Sequence, residues 1–331
     1  MIKKQSIRKG TIVKLNGTIL EYICDKGDRS YVIYSDTDSI YIHAHPLLKH
    51  LYPDFDKWDD KEKDNKLEEV ALKYQDLITK HYDTVAKDVF RIRDNYEWLE
   101  KINPLHRLDM RTECVIRSAY FRATRRYAQW ITKQEGIEKE SLDVKGLEFM
   151  KSNFPQVFND FFYDILQRIL KGAKQKEIID DVIKFKNDIL MGNIPINKLG
   201  NPQSVKGIEK YMGRTTGTKC FSEVKKGSPA SYRAAIYYND LLRIWGLEGK
   251  YELITNGSKI KWIYLIDNPY GINVLAFSHS KVPKKMLDFI NKFADRERIY
   301  KTILENKLEG LFSDLGWTLA TNKKIFDFFS Y

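Results

Sequence analysis

The run YVIYSDTDSIYI, at residues 31–42, constrains the fold more than any other part of the chain. Apolar, β-branched and aromatic residues stand on both sides of its polar centre, a pattern that predicts two short strands joined by a tight turn. Alternate residues of a strand share a face, so Asp36 and Asp38 are expected to lie together at the tip of this hairpin. Carboxylates between apolar strands are costly unless paired or bound to a cation, and carboxylates at such a tip suit Mg²⁺.

A surface β-turn is the alternative interpretation, since Asp, Ser and Thr are common in turns. The longer string YSDTDS between apolar flanks is more specific, and it resembles the third palm motif of family B DNA polymerases. The resemblance implies that Asp38 is the direct ligand shared by two Mg²⁺ ions and that Asp36 is an accessory carboxylate of the catalytic site. It also implies that Tyr34, Thr37 and Ser39 support the turn.

The charge of the chain indicates a polyanionic partner. Lys and Arg number 56 against 45 Asp and Glu, a formal net charge of +11, which does not separate DNA from RNA or from a membrane surface. No apolar run reaches the roughly 18 residues of a spanning helix, and the N-terminus lacks a signal-peptide core. The three cysteines are far apart and odd in number. The sequence therefore predicts a reduced, soluble protein of the cytoplasm with no membrane partner.

The hydrophobic pattern predicts an α+β fold with a boundary near residue 148. The first part, residues 1–148, is expected to contain an antiparallel sheet with the β-hairpin and a long helix. Its elements are a hairpin turn at Asn16-Gly17, the YSDTDS hairpin, a helix over about 65–100, and strand pairs within 107–133. The second part, residues 149–331, is expected to be mostly helical with a small β element. Its elements are helices near 154–172 (with Ser152 as a cap), 175–191, 229–245 and 283–312, and strands near 250–255, 260–266 and 271–278.

Residues 111–133 are a first candidate surface for nucleic acid, because six cations and one acid alternate there with aromatic side chains. A solvated sheet face over an aromatic core is an equally good reading. The string YFRATRRYAQW resembles the Lys-x-Tyr region that follows the third palm motif and contacts the primer terminus, with arginine in place of the lysine. The resemblance implies DNA contacts from Arg122, Arg125, Arg126 and Tyr127.

Two further stretches resemble parts of the same family. LDVKGLEFMKSNFP resembles the junction of palm and thumb domains, which adds Lys145 and Gly146 to the implied DNA contacts. Residues 193–233 are rich in lysine and glycine, which suits either a close approach to a phosphate chain or a flexible solvated loop. Within them TKCFSEVKKGSPASYRAA resembles the thumb of polymerases from large tailed bacteriophages, which implies DNA contacts from Lys219 and Arg233.

The C-terminal octapeptide KIFDFFSY carries three phenylalanines, which is unusual for a solvated tail. It either docks on the protein's own thumb or inserts into a groove of a partner. Polymerases of large tailed bacteriophages end in a similar aromatic tail that binds the sliding clamp. The resemblance implies a protein of the infected host cytoplasm, with Ile325, Phe326, Phe328 and Phe329 as clamp anchors.

Two motifs of the family are missing from the chain: Asp-x-x-Ser-Leu-Tyr-Pro of the first palm motif and Lys-x-x-x-Asn-Ser-x-Tyr-Gly of the fingers helix. Two-metal phosphoryl transfer needs carboxylates on both ions, and one hairpin does not supply them all. The sequence therefore predicts the C-terminal subunit of a split DNA-directed DNA polymerase. Its partners would be an N-terminal subunit with exonuclease, fingers and first-motif palm, together with primer-template DNA, dNTP and a sliding clamp.

Several alternatives stay open at this point. A cloned fragment would explain the missing motifs as well as a natural split does. A non-catalytic module that binds DNA or tethers a clamp is a second alternative, and a metal-dependent nuclease that uses Asp36 and Asp38 is a third. His43 and His45 alternate just after the hairpin, where we expect them to continue the strand as a structural pair rather than as metal ligands.

Overall fold

The computed structural model describes residues 12–15, 18–21, 32–36, 39–88, 110–150, 153–213, 221–278 and 281–317. Helices and small sheets, paired antiparallel in both hairpins and in the sheet of the C-terminal part, give the α+β fold that the sequence predicts. Two compact units are present: a first unit of residues 1–124 and 129–143, and a second unit of residues 125–128 and 144–331. Among the described residues, no helix combines the length and apolar character needed to cross a membrane.

Two hairpins, two helices and a three-stranded sheet follow one another in the N-terminal part of the chain. The elements are β1 (Ile12–Leu15), β2 (Thr18–Glu21), β3 (Val32–Asp36), β4 (Ser39–Ile42), α1 (His45–Leu51), α2 (Asp60–Asp88), β5 (Cys114–Ala123), β6 (Arg126–Gln134) and β7 (Ile137–Lys145). Strands β5, β6 and β7 are neighbours in that order in one sheet. In the N-terminal hairpin Leu15 pairs with Thr18, and the predicted turn residues Asn16 and Gly17 lie outside the described residues.

Helix α2 begins earlier than the predicted residue 65. The Asp59 side chain accepts a hydrogen bond of 2.7 Å from the backbone N–H of Glu62, which is the geometry of a helix cap. The apolar period of residues 60–64 is weak, so the sequence pattern places the start of the helix too late. Residues 89–109, where the predicted helix would end, lie outside the described residues. Leu48 of the unpredicted helix α1 packs with Phe55 and Val70 in a small core.

Two cations of the 111–133 segment hold α2 against the sheet. The Lys133 ammonium lies 2.6 Å from the Asn65 side-chain oxygen and 2.7 Å from a Glu68 carboxylate oxygen, and the lysine is only 6% exposed. Arg117 binds two carboxylates of the first helical turns, Asp60 at 2.8 Å and Asp64 at 2.7 Å. These two side chains therefore have structural partners within the protein.

Helices dominate the C-terminal part, with one small antiparallel sheet in the order β10, β9, β8. The elements are α3 (Gln156–Leu170), α4 (Gln175–Leu190), α5 (Ile196–Leu199), β8 (Asn201–Ser204), α6 (Ala230–Ile244), β9 (Lys259–Tyr264), β10 (Val274–Ser278), α7 (Lys284–Phe293), α8 (Arg296–Ile299) and α9 (Asn306–Asp314). A π-helical segment, Tyr300–Glu305, connects α8 to α9. Helix α6 packs on strands β9 and β10 through fully buried residues such as Leu241, Ile263 and Leu275.

The helices predicted over 154–172, 175–191 and 229–245 are confirmed, with ends that move by a few residues. The helical stretch predicted over 283–312 consists of α7, α8, the π-helical segment and α9. The predicted strand near 250–255 is wrong, because these residues form no strand. The Asn239 carboxamide instead accepts a hydrogen bond from the Ile254 N–H and donates one to the Ile254 carbonyl oxygen, both at 2.8 Å. Strand β8 was not predicted, since its sequence NPQS lacks strand-forming residues and Pro202 is tolerated only at a sheet edge. The cap of α3 is Pro155 rather than Ser152, in keeping with the fixed φ of proline at helix starts.

Replacement of Lys133 by alanine should lower the free energy of unfolding by about 2 kcal/mol, because Glu68 and Asn65 lose a buried partner. The matched control is Lys61→Ala, which removes a pair with Glu138 whose side chains are 71% and 62% exposed. We expect about 0.5 kcal/mol or less from that control. Urea unfolding of both variants tests the difference, and equal losses would contradict a structural role for Lys133.

Candidate functional site

Strands β3 and β4 form the predicted hairpin. Asp36 pairs with Ser39, and Ser35 with Ile40, in an antiparallel register. This pairing leaves two residues, 37 and 38, as the whole connection between the strands. Thr37 and Asp38 lie outside the described residues, so the predicted roles of their side chains stay predictions.

Both described residues that were predicted to support the turn contact Asp36. The Ser39 hydroxyl donates to the Asp36 carbonyl oxygen at 3.1 Å, which links the two ends of the connection. The Tyr34 hydroxyl lies 3.5 Å from the Asp36 carboxylate, at the outer limit of a hydrogen bond. Tyr34 and Asp36 are two apart on β3 and share a face, and Asp36 is half-buried.

Three aromatic rings fix the hairpin to strand β5. The ring of Tyr34 lies 5.4 Å from that of Tyr41 and 5.5 Å from that of Phe121, and the rings of Tyr41 and Phe121 are 5.4 Å apart. A β-bulge at Ile33 shifts the register between Val32 and Tyr34 and so brings Tyr34 opposite Tyr41. Aromatic pairs at these distances contribute about 1 kcal/mol each beyond their burial. The carboxylate-bearing end of the hairpin is thus attached to a larger sheet.

The cations and aromatic residues of the 111–133 segment lie in different surroundings. Lys133 and Arg117 are held by carboxylates, as described above, whereas Arg122, Arg125 and Arg126 are exposed at the turn between β5 and β6. Tyr127 is only 5% exposed, so its ring packs inside the protein. The segment therefore contains cations that hold the fold together as well as exposed arginines, and phosphate binding by those arginines stays a prediction.

Gly146 makes the closest backbone approach in this region. Its φ is +66°, and a Cβ atom at this position would stand 1.9 Å from the carbonyl oxygen of Arg125. Arg125 itself adopts a left-handed conformation with φ of 60°. The preceding residue, Lys145, holds its ammonium 5.9 Å from the centre of the Tyr127 ring. Residues 145 and 146 thus fix the backbone that carries Arg125 and Arg126.

Arg233 is half-buried near the start of α6. Its Nε atom is buried and has no hydrogen-bond partner within the described part of the chain. The neighbouring Tyr232 donates to the Lys206 carbonyl oxygen at 3.0 Å and packs on the Tyr211 ring at 4.4 Å. The other predicted DNA contact of this segment, Lys219, lies outside the described residues. The same holds for the four predicted clamp anchors, Ile325, Phe326, Phe328 and Phe329.

The hairpin offers a ligand of the type that Mg²⁺ prefers, because Asp36 places a carboxylate at the end of β3. Across the residues that the structure describes, no three His, Cys, Asp or Glu side chains are grouped as metal ligands. Any complete ligand set at the hairpin would therefore need Asp38 or another polypeptide.

The histidines after the hairpin are engaged with the protein. The prediction that they continue the strand is wrong, because β4 ends at Ile42 and His45 begins α1. Their rings stack 6.1 Å apart, and His45 Nε2 lies 2.7 Å from the Asp56 carboxylate, which also binds Lys49 at 2.6 Å. The hydrogen bond from Lys49, followed by that from His45, holds the pKa of Asp56 below its usual range.

Sequence analysis did not single out Trp262 and Tyr264. They line a cavity of about 280 Å³ within the second unit. The available signal was their spacing of two in strand β9, KIKWIY, which places both rings on one face.

A scan of the chain against protein-family models found no match, and a search of curated proteins found none.

Gly146→Ala should lower the free energy of unfolding by about 3 kcal/mol or more, because the new Cβ meets the Arg125 backbone. Gly172→Ala is the matched control, since Gly172 has a φ of +88° but nothing within 4 Å of its Cβ position. That control should cost only the left-handed strain of about 1 kcal/mol. Thermal unfolding followed by circular dichroism measures both, and similar losses would show that the close approach to Arg125 has no effect.

The pKa of His43 is lowered from 6.5 by burial and, to a smaller extent, by the charge of His45. The unfolded chain therefore binds this proton more readily, and stability falls as the pH drops through 6.5 toward the lower folded value. We expect His43→Gln to remove part of the stability loss between about pH 7 and about pH 5. Chemical unfolding at several pH values measures this, and an unchanged pH profile in the variant would contradict it.

Proposed function

We propose that this chain is the palm-and-thumb subunit of a family B DNA polymerase. The observation that carries the proposal is the hairpin of the YSDTDS run, in which Asp36 pairs with Ser39 and leaves a two-residue connection containing Asp38. Asp38 is therefore separated from the paired residues Asp36 and Ser39 by no more than one residue of the chain. The attachment of the hairpin to Phe121 gives such a turn the rigidity that metal-dependent chemistry needs.

In this proposal Asp38 and Asp36 hold Mg²⁺ together with a carboxylate of a second polypeptide. When bound, the ions neutralise the triphosphate and favour attack of the primer 3′-oxygen on the α-phosphate of a dNTP. Tyr34 and Ser39 keep Asp36 in place through the contacts described above. The half-buried position of Asp36 limits the water that competes for its carboxylate.

The exposed arginines Arg122, Arg125 and Arg126 are the proposed contacts to the primer strand. Their side chains are exposed, whereas Lys133 and Arg117 bind side chains of helix α2. Tyr127 would act from beneath this surface as a packing residue. Because the contacts are to phosphates, binding to DNA should weaken steeply with salt.

Residues 149–331 are the proposed thumb. Lys219 and Arg233 would add phosphate contacts along the duplex, Lys145 and Gly146 would set the junction with the palm, and the C-terminal tail would bind a sliding clamp. The clamp anchors proposed for that tail are Ile325, Phe326, Phe328 and Phe329. The N-terminal subunit would supply exonuclease, fingers and the first-motif aspartate.

A second candidate is a non-catalytic module that binds DNA or tethers a clamp. It rests on the net charge of +11 and on the exposed arginines at the turn between β5 and β6, and it requires no metal site. The two candidates differ in what they require. The polymerase needs a companion polypeptide with Asp-x-x-Ser-Leu-Tyr-Pro and Asn-Ser-x-Tyr-Gly motifs that co-purifies with this chain, and the module needs none.

Asp38→Ala should reduce primer extension by this chain and its companion by on the order of a thousandfold or more, because a metal ligand supports several kcal/mol of charge stabilisation. Binding to primer-template DNA should survive the change. Asp180→Ala, at an exposed site on α4, is the control and should extend primers normally. Extension at an unchanged rate by Asp38→Ala would refute the catalytic role and favour the non-catalytic module.

A further inference from the structure

A cavity of about 280 Å³ in the second unit plays no part in the proposed polymerase reaction. Three parts of the unit line it: the segment before α3, the edge of the sheet at β8 and β9, and the helical stretch that runs from the π-helix into α9. Its volume lies near the lower end of ligand-binding pockets, which span about 300–1,000 Å³. The cavity therefore suits one small ring system with a short polar extension.

The aromatic side chains of the cavity provide surfaces for a planar ligand. Trp262 and Tyr264 have ring centres 5.1 Å apart and planes at 80°, and Phe154 lines another wall. Trp262 is half-buried, and its indole N–H makes no hydrogen bond within the described part of the chain. Nucleobases stack on such aromatic side chains with little dependence on sequence.

Two carboxamides supply hydrogen-bonding groups next to these rings. Asn201 pairs with Trp262 in the register of β8 and β9, and Asn153 lines the cavity from the segment before α3. Neither carboxamide makes a side-chain hydrogen bond to the residues that the structure describes. Each therefore has donors and an acceptor available for the polar edge of a base.

The charges around the cavity disfavour a cationic ligand. The Arg298 guanidinium already lies 4.1 Å from the centre of the Tyr264 ring, and the Lys307 ammonium lies 5.6 Å from that of Phe154. Lys307 also binds Glu148 at 2.6 Å. Glu148 also lines the cavity and offsets one of these two positive charges, but the three groups together remain positive, which disfavours a further cation and attracts a phosphate.

The backbone at the cavity is unusual as well. Thr302 and Ile303 line it from the π-helical segment Tyr300–Glu305, where the Thr302 hydroxyl donates to the Arg298 carbonyl oxygen at 2.7 Å. Segments of π-helix are rare and occur frequently at functional sites. Ile303 is the one aliphatic side chain among the described lining residues, so the cavity does not suit an apolar ligand.

We propose that this cavity binds one nucleotide, with the base against Trp262, the base edge on the carboxamides and the phosphate beside Lys307 and Arg298. The nucleotide is either free or an unpaired member of a DNA strand. The second source rests on the proposed polymerase function, because a thumb beside a replicating duplex meets unpaired DNA. A base pair is too large for the cavity.

The experiment uses the full chain and a fluorescent strand of about 12 thymidines, with binding measured by anisotropy. Trp262→Ala should weaken binding about tenfold, the effect of one lost base–aromatic stack, and Trp262→Phe should weaken it less. Tyr163→Ala, at a residue that is 38% exposed and does not line the cavity, should bind as the native chain does. An abasic strand of equal length should compete poorly. Circular dichroism shows whether each variant is folded.

Two further arms separate the possible outcomes. If thymidine monophosphate displaces the strand, the site accepts free nucleotides. If it does not, the site binds only nucleotides that belong to a strand. Binding of the same variants to blunt duplex DNA tests the proposed polymerase function on its own. If the native chain and a folded Trp262→Ala variant bind the strand with equal affinity while duplex binding is intact, the cavity proposal alone is overturned. If the native chain does not bind duplex DNA, that result contradicts the proposed polymerase function instead.

Discussion

The pairing of Asp36 with Ser39 is the constraint on which the functional interpretation depends. It leaves only residues 37 and 38 between the paired ends of two apolar strands. The hairpin alone would be marginal, because isolated two-stranded sheets are barely stable in water. The aromatic contacts of Tyr34 and Tyr41 with Phe121 attach it to a longer sheet, which in turn holds α2 through Lys133 and Arg117.

The basic residues described above fall into two groups that differ in their surroundings. Lys133 and Arg117 have carboxylate partners and stabilise the fold, whereas the arginines at the turn between β5 and β6 are exposed. Gly146 supports the backbone of that turn, because only a residue without a Cβ atom lets the backbone approach the Arg125 carbonyl oxygen this closely. The net charge of +11 therefore includes cations that are neutralised within the fold.

Elements with a strong hydrophobic period were predictable, and elements set by single side chains were not. The helices α4 and α6 follow from their apolar stripes, and both hairpins follow from turn residues between strand formers. The failure at 250–255 has a different origin: the Asn239 carboxamide satisfies the backbone there, and no local pattern reveals that contact. At the site, the sequence predicts the hairpin but not the engagement of Lys133, the burial of Tyr127 or the cavity beside Trp262, all of which depend on tertiary packing.

The central claim is that the hairpin tip binds the metal ions of nucleotidyl transfer. Electron paramagnetic resonance can count the Mn²⁺ ions bound by the complex of this chain with its companion subunit, primer-template DNA and a dNTP. The account predicts about two ions for the native complex and fewer when Asp38 is replaced by asparagine. The same number of bound ions in both complexes would contradict it.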